Sequence, residues 1–144
     1  MGGMNSGTAN MKVAIVGSRD YSRRVDVEAF VAGLPTDTEV VSGGARGVDT
    51  WAQLAAVKRG LHVTIFKAEW KLHGRAAGYI RNEYIINYAD LIVAFWDGQS
   101  RGTAHSIALA DKVGKPYEIY LTWEDSMRAG GPLSHTHDKI MEGL

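Results

Sequence analysis

Residues 38–60 read TEVVSGGARGVDTWAQLAAVKRG, and the order of residue types along this stretch decides the fold. It opens on a short apolar run with β-branched Val40 and Val41, the composition of a buried strand. Three glycines follow within five positions, Gly43, Gly44 and Gly47, with Arg46 just before the last. From Val48 the pattern turns helical: Trp51, Leu54, Ala55 and Lys58 are three and four apart, and Gly60 supplies a stop. Strand, glycine loop and helix in immediate succession make half of a β-α-β unit.

The rest of the chain repeats this alternation. KVAIVG (Lys12–Gly17) reads as the first strand, and SRRVDVEAFVAGL carries Val27, Phe30, Val31 and Leu34 at helical spacing. HVTIF (His62–Phe66) is the third strand. RAAGYIRNEYIINYA is a helix with Ile80, Tyr84 and Asn87/Tyr88 on one face, although Gly78 weakens it locally. DLIVAFW (Asp90–Trp96), the most apolar strand, is expected at the centre of the sheet, followed by the helix TAHSIALADKVG and the strand KPYEIYL. The pattern predicts an α/β fold, a Rossmann-like three-layer sandwich with a mainly parallel sheet of about five strands. Residues 1–11 are expected as a loose tail, 12–121 as one nucleotide-binding domain and 122–144 as a C-terminal tail.

Composition narrows the function classes. The 144 residues hold 16 Lys+Arg and 16 Asp+Glu, so the chain lacks the basic surplus of a protein that coats nucleic acid, and nucleic acid is not the expected partner. With no cysteine there is neither a disulfide framework nor thiolate chemistry. No apolar run is long enough to span a membrane and no secretory pattern opens the chain, which predicts a cytoplasmic protein. The histidines show no metal-ligand spacing; His135–His137 falls in the tail. No Walker pattern and no dinucleotide GxGxxG follows strand one. No metal and no cofactor is expected.

Three loops follow strands that point the same way, so they gather on one edge of the sheet: Gly17-Ser18-Arg19-Asp20, Ser42-Gly43-Gly44-Ala45-Arg46-Gly47, and Asp97-Gly98-Gln99-Ser100-Arg101-Gly102-Thr103. All three combine Gly, Ser and Arg, and two run straight into a helix. Helix N-termini offer free N–H groups and partial positive charge, glycine lets backbone approach a ligand, and arginine adds a planar two-pronged donor. Together these suit phosphate. Asp49, at the start of the second helix, is a candidate either for ribose hydroxyls or for local capping. Trp51 and Trp96 read as core or pocket wall.

At this level of detail KVAIVGSRDY, VVSGGARGVDT, HGRAAGYIRNEYI, ADLIVAFWDGQSRGTAHSI and KPYEIY resemble, in order, the YspA/YpsA-related branch of the SLOG superfamily, over residues 12–120. That superfamily also holds the DNA-processing protein DprA (Smf) and the LOG phosphoribohydrolases. The resemblance implies a Rossmann-like fold that binds nucleotides or ligands derived from them, ADP-ribose among them. LOG enzymes carry a helical arginine and then PGGxGTxxE; Arg81, Gly102 and Thr103 match, but Gly98-Gln99-Ser100 replaces PGG and Ser106 replaces the glutamate that helps the base depart. SGGARGVD and RNEYIINYAD are similar to DprA, a single-stranded DNA binder.

The expected function is therefore binding of a nucleotide-like small molecule as sensor, sequestering or processing protein. The ligand would be held by Gly17, Ser18, Arg19, Ser42, Gly43, Gly44, Arg46, Gly47, Asp49, Arg81, Asn82, Ser100, Arg101, Gly102 and Thr103. Hydrolysis of a nucleotide N-glycosidic bond is the alternative. It needs a carboxylate near the anomeric carbon, for which Glu83 and Asp97 are the candidates. DprA-like binding of single-stranded DNA is a further alternative. Relatives in the superfamily are commonly dimers, so a homo-oligomer is expected.

Overall fold

The computed structural model describes residues 11–122. Five strands, β1 (Lys12–Gly17), β2 (Glu39–Ser42), β3 (His62–Ile65), β4 (Leu91–Phe95) and β5 (Tyr117–Tyr120), alternate with four helices. These are α1 (Arg24–Ala32), α2 (Val48–Lys58), α3 (Ala77–Tyr88) and α4 (Arg101–Val113). One short helical turn, Trp70–His73, and a 3-10 turn, Gly74–Ala76, precede α3. The segments expected as tails lie outside the described residues, apart from Met11 and Thr122.

All five strands are parallel, in the order β3-β2-β1-β4-β5. The Rossmann-like expectation therefore holds, with a wholly rather than mainly parallel sheet. One expectation is corrected: the middle strand is β1, and β4 lies beside it. Both are buried along their length, and their apolar composition alone does not rank them.

Successive side chains of a strand point to opposite faces, and each face has its own core. Val13, Ile15, Val40, Val93 and Phe95 pack under α1 and α2, against Val27, Val31 and Ala52. Ala14, Val16, Val41, Ile92 and Ala94 pack under α3 and α4, against Ile85, Ile86 and Ala110. This two-sided burial is why the strands read as continuous apolar runs.

The inward faces of two helices differ from their apolar spacing. On α2 the buried residues are Val48, Asp49, Ala52 and Ala56, while Leu54 is exposed. On α3 they are Ala77, Asn82, Ile85 and Ile86, and Tyr84 is exposed. The departures share a cause. A polar residue, Asp49 or Asn82, faces inward from each helix toward the loops at the carboxyl edge of the sheet. Among the described residues no helix is long and apolar enough to cross a membrane.

Candidate functional site

From β1 the chain moves outward to β2 and β3, then returns to β4 on the other side of β1. The order thus reverses between β1 and β4, and in open parallel sheets a crevice forms beyond the carboxyl ends of the strands at such a point. Here it is a cavity of about 760 Å³, walled by the loops after β1, β2, β3 and β4, by α3 as far as Ile85 and by α4 as far as Ser106.

Close backbone contacts set the crevice. Ser18, fully buried, donates its N–H to Phe95 O (3.0 Å) and accepts the Asp97 N–H on its hydroxyl (3.0 Å), joining the two diverging loops. The N-terminus of α2 abuts the first loop: a Cβ on Gly47 would lie 2.7 Å from both Cα and O of Arg19, and Gly47 has φ +77°. Gly47 therefore answers a packing need between two loops, and it is not in the cavity wall. Ser42 is also behind the wall; its hydroxyl accepts the Gly44 N–H (3.2 Å) and bonds Gln53 Oε1 (3.0 Å).

Arg81 crosses from α3 to the glycine loop. Its Nη1 donates to Gly43 O (2.6 Å) and its Nε to Asn82 Oδ1 (3.1 Å). A Cβ on Gly43 would sit 2.8 Å from Arg81 Nη1 and 3.0 Å from Asp49 Oδ2, so glycine there leaves room for the guanidinium and the carboxylate. Asp49 is 5% exposed and accepts the Ala45 N–H (3.2 Å). Burial pushes its carboxyl up from 3.8 to about 6, against the opposing pull of the Ala45 N–H and the Arg81 charge.

A carboxyl raised in the folded state binds its proton more tightly there than when unfolded. Its contribution to stability is therefore present at low pH and lost as pH rises through the window from 3.8 to about 6. Asp49→Asn removes this dependence. In urea unfolding at about pH 5 and about pH 7.5, the wild type is expected to lose about 1 kcal/mol more over that interval than Asp49→Asn. Equal losses in the two proteins would refute the assignment.

The start of α4 forms the opposite wall. Asp97 Oδ1 accepts the N–H groups of Gln99 and Ser100, both at 2.8 Å, and Ser100 Oγ caps Thr103 N at 3.5 Å. The N–H groups of Arg101 and Gly102, in the first helical turn, have no intrahelical acceptor. Asn82 ties this turn to α3: its Nδ2 donates to Gly102 O (3.3 Å) and approaches His105 Nδ1 (3.2 Å). Burial holds the His105 imidazole below its ordinary value, with Glu83 pulling the other way.

The structure brings Gly17, Arg19, Gly43, Gly44, Arg46, Asp49, Arg81, Asn82, Ser100, Gly102 and Thr103 into one wall. Ser18, Ser42, Gly47 and Arg101 stand outside it, the first three bracing it from behind and Arg101 exposed. Neither Glu83 nor Asp97 lines the cavity; Glu83 is exposed on α3. Ser106, matched by resemblance to the LOG glutamate position, is buried and in the wall. Trp51 and Trp96 pack against the two cores.

Sequence reasoning missed the loop after β3. Lys67, Trp70, Arg75 and Tyr79 all line the cavity. The signal was present: KAEWKLHGR leaves a parallel strand on the same edge as the other three loops. With it, the wall holds five cationic side chains, Arg19, Arg46, Lys67, Arg75 and Arg81, and one carboxylate, Asp49. The ion pairs among the described residues, Arg23–Asp26 and Arg24–Glu28, use none of these cations. No cluster of three or more His, Asp or Glu among the described residues is placed to hold a metal, and His135–His137 lies outside them.

Comparison with known proteins adds three findings. The sequence model of the YspA, cpYpsA-related SLOG family matches residues 11–73. The Gene 61 protein of Mycobacterium phage D29 is 39% identical over 115 residues, 73% of this chain and 92% of that protein. The DNA processing protein DprA of Streptococcus pneumoniae is 45% identical over 51 residues, 34% of this chain and 18% of that protein.

Two solved structures share the fold. DNA processing protein A from Helicobacter pylori, described by its single-stranded DNA binding mode, superposes with a TM-score of 0.65 at 22% identity. It covers 78% of this chain, which spans 66% of it. The Streptococcus pneumoniae DprA structure gives 0.66 at 19% identity, covering 92% of this chain and 61% of its own. The chain thus spans just under two thirds of these structural relatives.

Proposed function

The chain belongs to the YspA, cpYpsA-related SLOG family, and from that premise we propose that its cavity binds a nucleotide-derived small molecule, a ribose phosphate or an ADP-ribose-like species, through the phosphate. The observation that carries this reading is the charge of the wall, five cations against one buried carboxylate at the point where strand order reverses. A cavity of about 760 Å³ is within the range of small-molecule sites.

The residues divide by role. The Gly102 N–H in the exposed first turn of α4 and the Thr103 hydroxyl offer donors to phosphate oxygens, while Gly43 and Gly44, whose own N–H groups serve Asp49 and Ser42 Oγ, let the phosphate approach the backbone. Arg19, Arg46 and Arg81 neutralise it, with Arg101 at the outer margin. Gly17 and Ser100 shape the floor, and Asn82 holds Arg81 in place. Asp49 balances Arg81 and accepts a ribose hydroxyl. Ser18, Ser42 and Gly47 keep the loops together. Binding is favoured over hydrolysis because Glu83 is exposed and Asp97 already accepts two loop N–H groups.

Calorimetry with mononucleotides and ADP-ribose tests the proposal. Saturable binding of about one ligand per chain is expected, and absence of binding up to millimolar ligand defeats it. Single-stranded DNA is the second reading, favoured by the DprA similarity and by exposed Trp70 and Tyr79 beside the cations, since bases stack on such rings. It requires oligonucleotide affinity that falls steeply with salt; a mononucleotide that competes fully with the oligonucleotide would return the weight to the small molecule.

A further inference from the structure

We infer that Trp70, Gly78 and Tyr79 form a slot at the cavity rim that takes the planar heterocyclic base of the nucleotide. This rests on the phosphate-binding proposal above and names the other half of the ligand. Trp70 is 60% exposed, on a short turn that buries none of its residues. Burying an indole is strongly favourable, so leaving one in water forgoes a large hydrophobic gain that the fold itself does not collect. Tyr79 is 44% exposed, and its ring lies 4.4 Å from that of His105, centre to centre, which braces it.

Gly78, which precedes Tyr79 in α3 and faces Trp70, is a residue poorly suited to a helix. A Cβ there would lie 3.5 Å from Trp70 Cη2, in ordinary contact, so packing alone does not require the glycine. Its effect is to leave the wall beside Trp70 without a side chain. All three residues line the cavity that holds the five cations. An occupant that suits both parts is anionic at one end and flat and aromatic at the other, which describes a nucleotide.

Adenosine 5′-monophosphate and ribose 5-phosphate, titrated into the full chain, separate the two halves of the site. In wild type the mononucleotide is expected to bind more tightly than the base-free sugar phosphate. Trp70→Ala is expected to weaken the mononucleotide roughly 5- to 150-fold, the range for loss of one base-aromatic stack, and to leave ribose 5-phosphate unchanged. Trp70→Phe keeps a stacking face and should recover most of the loss. Equal affinity for the two ligands in wild type, or an equal loss of both in Trp70→Ala, overturns the slot while the phosphate site stands. Failure of both ligands to bind defeats the phosphate site and the slot together.

Discussion

Arg81→Met is expected to lower affinity for a mononucleotide by roughly 10- to 100-fold, the range for losing a charged hydrogen-bonding partner. Three connections lead to this. The guanidinium is fixed by Gly43 O and Asn82 Oδ1, so it reaches the cavity already oriented. It contributes one of five positive charges in the wall. It also faces Asp49, whose ionised form becomes an uncompensated negative charge in the site once Arg81 is gone. The same substitution should therefore raise the Asp49 carboxyl beyond about 6, because burial remains and the Arg81 attraction does not. Calorimetry reads the first effect, and NMR titration of the Asp49 side chain reads the second. An unchanged affinity in a folded variant would remove Arg81 from the binding site.

Gly47→Ala is expected to destabilise the fold by about 3 kcal/mol and lower Tm by about 10 °C, from left-handed strain and steric overlap together. The added Cβ meets the Arg19 backbone at 2.7 Å, and φ is +77°. Neither partner is a flexible side-chain end, so relief requires the first loop or α2 to move. Gly102→Ala is the contrast. Nothing lies within 4 Å of a Cβ there, and alanine favours a helix, so stability should hold or rise slightly. Both glycines stand in Gly-, Ser- and Arg-bearing stretches that look alike in sequence. Thermal unfolding followed by circular dichroism distinguishes them, and equal Tm values for the two variants would contradict the packing role of Gly47.

That contrast shows where the sequence is readable. Apolar runs such as Lys12–Gly17 mark strands because both faces of the sheet are covered, and β1 begins and ends where its composition places it. The convergence of the loops after β1, β2 and β4 follows from parallel strands alone. The face of α3 does not follow from periodicity: Ile80 and Tyr84 look like the core stripe, yet Asn82 turns inward because it bridges Arg81 and Gly102 O. Tertiary hydrogen bonding overrides apolar spacing there.

The β3 loop escaped notice for another reason. KAEWKLHGR lacks the glycine cluster that marks the other loops, and its importance comes from topology, which sets β3 beside β2 with its end at the same edge. Asp97 illustrates a second, structural use of a carboxylate. A carboxylate after a strand suggests chemistry, but its oxygen is engaged by Gln99 and Ser100 N–H groups, which shape the turn into α4.

The most direct test of a phosphate cradle at the carboxyl edge of the sheet is a nitrogen-proton NMR titration of the full chain with ADP-ribose. The expected result is that the amides of Gly43, Gly44, Gly102 and Thr103 shift together and saturate with one ligand per chain. Shifts confined to another face of the protein, or none up to millimolar ligand, would contradict it.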